Sequence, residues 1–266
     1  MLFEVDGVGG VALADEALVL PDGAYTTFRT YDGDRILLLG KHIERLRESA
    51  RLQGQAADLP AERVTMGVAG VLDATRFRES RVRLTFAPPV LFAAVWPFEP
   101  LLAAAYLNGI ACITLPLRRD NPQAKDTRFQ RTAAEVYERL PAGIHEGLMF
   151  DPADGALLEG LSSNFFAIVA GELRSEGARV LSGVTRALVL DLAGELLPVR
   201  LDAVLRSELP RFAEAFITSV SRGVLPVTAL DGQAVGDGKP GPITRELMQR
   251  LEDFARRHAQ PPRARG

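Results

Sequence analysis

The pattern of apolar and polar residues predicts short strands and helices in both halves of the chain. Residues 26–30 are rich in β-formers, Tyr31-Asp32-Gly33-Asp34 is a turn signal, and 35–39 resumes as a strand, so a hairpin is predicted. Residues 41–52 place Ile43, Leu46 and Ala50 on one helical face, with Gly54 just beyond as a stop. Pro60 opens a second helix reaching about residue 74. Strands are predicted at 80–86, 90–96 and 109–115. The polar, proline-holding stretch 117–123 reads as a linker. Beyond it, 127–140 reads as a helix, 147–150 as a strand, 151–155 as a turn and 164–169 as a phenylalanine-rich strand. A helix at 183–196, a strand at 213–219, two short strands within 224–235 and a last helix at 243–257 complete the pattern. The tail from residue 260 reads as disordered.

Strands and helices mixed in both halves predict an α/β protein with α+β character, and no internal repeat is visible. The expected organisation is a small N-terminal α/β domain over 1–116, a linker at 117–123, a larger domain over 124–257 and a disordered tail at 258–266. A cleft between two lobes is the default place for a site.

Composition narrows the function classes. The chain has 266 residues, of which 47% are hydrophobic and 24% charged, near the globular average. No apolar run approaches the ~18–20 residues that a membrane helix needs, so no membrane partner is expected. Met1-Leu2-Phe3-Glu4-Val5-Asp6 lacks the basic and apolar regions of a secretory signal, and a cytoplasmic location is expected. The single cysteine, Cys112, offers neither an internal disulfide nor a cysteine-based zinc site. Three scattered histidines (His42, His145, His258) argue against a histidine-rich metal site, so no metal is expected. The net charge of −3 argues against nucleic acid as a partner. Of 31 basic residues, 28 are arginine and three are lysine, a ratio that coding bias explains. It leaves Lys41, Lys125 and Lys239 as the only side-chain amines.

Several residues are candidates for chemistry. Lys125 follows a loop and precedes a helix, where a lysine is either solvated or, in a partly desolvated site, able to form a Schiff base. Glu159 lies between a leucine pair and a strand of phenylalanines. A carboxylate buried there needs a partner, which can be an internal arginine or a bound cation. Ser182-Gly183-Val184-Thr185-Arg186 opens a helix and offers either ordinary capping or an anion site of exposed N–H groups. Ser219-Val220-Ser221-Arg222-Gly223 ends a strand as a plain turn or a phosphate nest. Arg45 sits beside the apolar face of its helix.

Together these residues resemble the class IV (fold-type IV) pyridoxal-phosphate enzymes, which include branched-chain aminotransferase, D-amino-acid aminotransferase and 4-amino-4-deoxychorismate lyase. The likeness runs from about Asp22 to about Arg250. Glu159-Gly-Leu-Ser-Ser163-Asn164-Phe-Phe is similar to the family's Glu-Gly-x-x-x-Asn stretch, and Gly183-Val184-Thr185-Arg186 to its Gly-Ile-Thr-Arg. His42-Ile-Glu-Arg45-Leu resembles its His-x-x-Arg-Leu, and Lys125 precedes Glu159 by a family-like gap of 34 residues. Asp22-Gly-Ala-Tyr25-Thr-Thr27-Phe-Arg29 resembles the segment lining the substrate pocket.

The resemblance implies a two-lobed enzyme whose larger domain has a mixed, barrel-like β core. It implies pyridoxal 5'-phosphate, bound by Lys125 as a Schiff base, with Glu159 beside the protonated pyridine nitrogen. Arg45, Val184, Thr185, Ser219, Val220 and Ser221 are the implied phosphate ligands, and Ser163 and Asn164 belong to the cofactor site. Lys125 is the implied catalytic base. Tyr25, Thr27, Arg29, Arg83 and Arg222 are the implied substrate contacts, with Arg29, Arg83 or Arg222 holding a carboxylate. A homodimer is implied as well.

The chain departs from the family where substrate and reaction are selected. Gln130 replaces a common tyrosine, Thr127-Arg128 replaces Leu-Asn, and Val220 offers only its backbone to phosphate. The Arg-Gly loop of some members is replaced by Arg83-Leu-Thr-Phe-Ala-Pro-Pro89. The leading expectation is 4-amino-4-deoxychorismate lyase, releasing pyruvate and 4-aminobenzoate for folate biosynthesis. The short chain and Thr26-Thr27 favour it. The alternative is an aminotransferase for a branched-chain or D-amino acid with a 2-oxo acid acceptor, in which Lys125 returns the proton at C4′. A non-catalytic binding module is the third reading.

Overall fold

The computed structural model describes residues 2–4, 21–56 and 58–262. The chain divides into two compact units: Met1–Glu99 with Ala124–Phe129 and Phe254–Gly266, and Pro100–Gln123 with Gln130–Asp253.

In the first unit, β1 (Leu2–Glu4), β2 (Ala24–Tyr31), β3 (Arg35–Ile36), β4 (Ser80–Ala87) and β5 (Val90–Pro97) form a sheet in the order β1-β5-β4-β2-β3. Every neighbouring pair is antiparallel. Two helices accompany it, α1 (Leu39–Leu52) and α2 (Ala61–Thr75). The period of two along β2 sends Ala24, Thr26, Phe28 and Thr30 to a buried face and Tyr25, Thr27, Arg29 and Tyr31 to the other. Helix α1 buries Ile43, Leu46 and Ala50, the expected apolar face, together with His42 and Ser49. Each large apolar side chain fully buried this way contributes about 1.5–3 kcal/mol.

The expected strand at 35–39 is cut short. Only Arg35 and Ile36 pair with β2, Leu38 turns into the left-handed region at φ 54°, and α1 begins at Leu39. An apolar run cannot distinguish a strand from a helix entry by itself; here Ile36 supplies the buried strand position and Leu39 opens the helix.

The second unit is built around a closed mixed barrel. Its strands are β6 (Ile110–Leu115), β7 (Ile144–Phe150), β8 (Leu157–Gly160), β9 (Asn164–Val169), β10 (Glu172–Arg174), β11 (Val199–Arg200), β12 (Phe212–Ser219), β13 (Gly223–Leu230) and β14 (Gln233–Ala234). Six of them close a ring, β9-β12-β13-β6-β7-β8 and back to β9. The β13–β6 and β6–β7 pairs are parallel and the other four antiparallel. Strand β9 is buried along its whole length. Phe165, Ala167 and Val169 join a core with Ile110, Leu148, Ile217 and Leu225, while Phe166 on the alternate side stacks on Phe216 with centroids 4.9 Å apart. The remaining helices are α3 (Ala103–Asn108), α4 (Thr127–Tyr137), α5 (Val184–Gly194) and α6 (Pro242–His258), of which α4 and α6 have residues in both units, with a 3₁₀ turn at Arg206–Arg211. Helix α3 has no counterpart in the sequence expectation, since its six residues are too few to show a period.

Two expected boundaries differ from these units. Residues 124–127 were expected in the larger domain, but their backbone is stitched into the first unit. Tyr25 N–H donates to the Lys125 carbonyl at 2.9 Å, and Thr127 N–H to that of Gly23 at 3.1 Å. The end of the chain was expected to be disordered from residue 258. Instead Ile36 and Gln260 exchange backbone hydrogen bonds of 2.8 and 3.0 Å, and Ala259 is wholly buried. A strand edge so far away in sequence leaves no local signal. Residues 263–266 lie outside the described residues, as do Met1, Val5 and Asp6.

Candidate active site

The expected site residues of the first unit gather around β2. Lys125 is fixed by its main chain: its N–H donates to Ser49 Oγ at 3.0 Å and its carbonyl accepts from Tyr25. Its Nζ lies 4.8 Å from the centroid of the Tyr25 ring, and the Arg83 guanidinium carbon lies 5.7 Å from the same ring. The tyrosine thus touches both the candidate amine and a candidate carboxylate ligand. Thr27 shares its face and stands opposite Arg83 in the β2–β4 register.

Thr26, on the buried face, meets α1. Arg45 Nη2 donates to Thr26 Oγ1 at 2.7 Å, and Thr26 Oγ1 stands 3.2 Å from His42 Nδ1. Because the hydroxyl accepts from Arg45, its hydrogen is free to go to His42 Nδ1, which acts as acceptor. Burial, then the Arg45 and Lys125 charges, hold His42 well below its ordinary pKa, which keeps that nitrogen unprotonated. Burial also pulls the Arg45 guanidinium down to about 10, against the opposing influence of Tyr25. Arg45 Nε is buried with no hydrogen-bond partner among the described residues.

Arg29 is differently placed. Its guanidinium lies 4.2 Å from the Tyr31 centroid and 4.0 Å from that of Phe98, and it pairs with Glu79 at 3.4 Å. These contacts hold Arg29 in an aromatic sandwich. Burial lowers the Arg83 guanidinium below its ordinary pKa, against the opposing influence of Tyr25.

In the second unit, Glu159 on β8 is buried at 4% exposure. Its Oε1 accepts from Arg119 Nη1 at 3.1 Å, and its Oε2 from Asn164 Nδ2 and the Leu181 N–H, both at 3.1 Å. Three donors compensate the buried charge. Asn164 also donates to the Leu181 carbonyl at 2.9 Å, so it ties β9 to the entry of α5. A Cβ at Gly183 would collide with the Asn164 amide oxygen, and the close approach explains the glycine. Helix α5 begins after Gly183 with no side-chain cap and no acidic residue in its first turn. Val184 and Thr185 therefore stand at an uncapped, electropositive helix start. Ser219, Val220 and Ser221 lie at the end of β12 and in the turn before β13, and the Thr218 hydroxyl beside them is buried without a partner among the described residues.

Ser163, expected among the cofactor ligands, donates to Glu146 Oε2 at 2.9 Å. Glu146 was not singled out from the sequence, and neither was Arg119, which lies in the expected linker. Glu146 is fully buried and pairs with Arg222 at 3.0 Å, while the Tyr137 hydroxyl donates to its other oxygen at 2.5 Å. Burial, then the Glu146 charge, pushes the Tyr137 phenol up, so it remains a donor. The only local sign of Glu146 was an acidic residue leading directly into the Gly147–Phe150 apolar run.

The comparisons with known proteins bear on this arrangement. Residues 23–230 match the family model for amino-transferase class IV. The chain belongs to the class IV aminotransferases. This class IV aminotransferase is 27% identical to a provisionally named branched-chain-amino-acid aminotransferase of Methanocaldococcus jannaschii, covering 92% of this chain and 91% of that one. It is 28% identical to the D-alanine aminotransferase of Staphylococcus epidermidis, covering 94% of each chain. Among solved structures it resembles the T.th. branched-chain amino acid aminotransferase with pyridoxamine 5'-phosphate, at 21% identity and TM-score 0.80, over 95% of this chain and 92% of that chain. That likeness carries the fold, including the mixed barrel expected for the larger domain.

The enzyme belongs to a pyridoxal-phosphate-dependent family, and its residues fit that group. In the first unit Arg45 Nε, and in the second the Thr218 hydroxyl, are buried with no partner among the described residues, and α5 is uncapped; each is a donor suited to an anion. The compensated Glu159 carboxylate suits a protonated ring nitrogen, and the Lys125 amine is the group that can form an imine. No helix among the described residues is long and apolar enough to cross a membrane.

Proposed function

We propose that the protein is a pyridoxal-phosphate-dependent transaminase that moves the amino group of a branched-chain or D-amino acid to a 2-oxo acid. The observation that carries this reading is the buried Glu159 carboxylate, held by Arg119, Asn164 and the Leu181 N–H in a chain of this family. The bound cofactor supplies the electron sink for the substrate's amine-bearing carbon. Glu159 keeps its pyridine nitrogen protonated. Arg45, Val184, Thr185 and the Ser219–Ser221 turn hold its phosphate, with Ser163 and Asn164 bracing the Glu159 segment. Lys125 would hold the cofactor and, once displaced by the substrate amine, would be the base that moves the proton of the amine-bearing carbon. Arg83, with Tyr25 and Thr27 beside it, is the substrate-carboxylate candidate whose guanidinium lies near the same ring as the Lys125 amine.

Support for transamination over the lyase comes from two sides. The relatives described above are aminotransferases. Thr26, half of the threonine pair that favoured the lyase, is wholly buried and bonded to Arg45 and His42. A cytoplasmic homodimer completes the proposal, and the exposed Leu101, Leu102 and Leu107 at α3 supply an apolar surface consistent with a partner copy.

The test is direct. Purified protein should be yellow, and borohydride should fix the cofactor on Lys125. Leucine or D-alanine should convert it to the pyridoxamine form, and a 2-oxo acid should restore it. Lys125→Arg should abolish turnover although charge is kept. Formation of 4-aminobenzoate from 4-amino-4-deoxychorismate, with no conversion by any amino acid, would replace this reading with the lyase.

A further inference from the structure

Arg222 is one of three arginines expected as candidates to hold a substrate carboxylate, but the second unit uses it internally. Nη1 donates to Glu146 Oε2 at 3.0 Å, and Nη2 to the Ser162 carbonyl at 3.1 Å and hydroxyl at 2.7 Å. Nε and the backbone N–H both donate to Ser219 Oγ, at 3.1 and 3.3 Å. The Tyr106 hydroxyl donates to the Arg222 carbonyl at 3.0 Å, closing the turn from the other side. Burial works against the guanidinium charge, but Glu146 and Tyr137 outweigh it and hold Arg222 above its ordinary pKa.

The consequence falls on Ser219. A serine hydroxyl has one hydrogen to give and two lone pairs to receive. Two N–H groups of one arginine occupy the receiving side. The hydroxyl can then act only as a donor, and a cationic neighbour strengthens that donation. Such a group is suited to an anion and unsuited to accepting a bond from an ammonium or an amide.

We infer that Arg222 is a positioning residue: braced by Glu146 and Ser162, it fixes Ser219 as an obligate hydrogen-bond donor to the cofactor's phosphate and does not bind the substrate. The inference rests on the proposed role of the Ser219–Ser221 turn. It also gives a task to Glu146, Tyr137 and Ser162, which bond to Arg222 or to one another beside it.

The experiment compares the affinity of the cofactor-free full-length protein for pyridoxal phosphate and for pyridoxal, which lacks the phosphate. Arg222→Lys keeps a charge for Glu146 but cannot reach Glu146, Ser162 and Ser219 together. It should weaken pyridoxal phosphate binding by about tenfold or more and change pyridoxal binding by less than about twofold. Ser219→Ala should show the same selective loss, and the double variant should lose no more than either alone. If Arg222→Lys does not fold, the neutral pair Glu146→Gln with Arg222→Gln strands no charge and should give the same selective loss. A raised KM for the amino acid with unchanged cofactor affinity would make Arg222 a substrate ligand and overturn the inference. Equal losses for both compounds, or additive losses in the double variant, would also overturn it. Wild-type protein that binds pyridoxal phosphate no better than pyridoxal would overturn the proposed function as well.

Discussion

Among the buried carboxylates of the second unit, Glu159 at 4% and Glu146 at 0% exposure each pair with an arginine at close to 3 Å. By residue type, burial and ion pairing they are alike. Their other donors differ. Glu159 is held by a side-chain amide and a backbone N–H, groups with fixed directions. Glu146 is held largely by hydroxyls, from Tyr137, Ser162 and Ser163, which rotate to suit. Around Glu159 the donors arrive from β9 and the entry of α5. Around Glu146 they arrive from α4, the Ser162–Ser163 turn and the β12–β13 turn. A buried ion pair alone therefore does not mark a reactive group. What its donors are tied to decides the role.

Substituting each carboxylate breaks or sharpens that distinction, and the largest effects are expected here. Glu159→Gln and Glu146→Gln each leave a buried arginine without its counter-charge, and each should lower stability by about 3 kcal/mol in urea unfolding. Only Glu159→Gln should lower turnover per folded molecule at saturating cofactor by a further ~10²–10³-fold, as expected for removing a charge that stabilises the reacting system. Equal turnover losses in the two variants would erase the distinction. Adding Arg119→Met to Glu159→Gln should recover about 2 kcal/mol of the lost stability without restoring turnover, because no stranded charge remains.

A smaller effect is expected in the first unit, at the cluster of Thr26, His42 and Arg45. Thr26→Val keeps shape but removes the hydroxyl between Arg45 and His42, and should cost about 1–2 kcal/mol with a parallel weakening of cofactor binding. Thr26→Ser should restore both. A loss that serine does not rescue would trace to packing and not to the hydrogen bonds.

The same contrast explains what the sequence could and could not convey. Periodicity was enough for β2, β4, β5 and α1, because each buries one face at its own repeat. Glu159 and Asn164 could be singled out because they fall in one compact stretch of motif, and Thr185 because it falls in another. Arg119 was not, since the segment around it is polar and proline-bearing and its partner lies 40 residues away. Arg222 and Glu146 are 76 residues apart, and neither carries a local sign of the other. The strand at 35–39 and the tail failed for a related reason: the pairing of Ile36 with Gln260 is a tertiary contact between the two ends of one unit.

The smallest effect separates the first unit's cluster from both carboxylates by pH. His42 faces Thr26, the Phe28 ring and the Arg45 and Lys125 charges, and its pKa lies well below the ordinary 6.5. The unfolded chain then binds a proton that the folded chain refuses, across the window from the folded value up to 6.5. Stability attributable to His42 is present in full above that window and falls as pH drops through it, by at most about 1.4 kcal/mol per pH unit. Urea unfolding of wild type and His42→Gln between pH 7 and about 5 should show this slope in the first and a shallower one in the second. Equal slopes would mean that groups other than His42 carry the acid sensitivity.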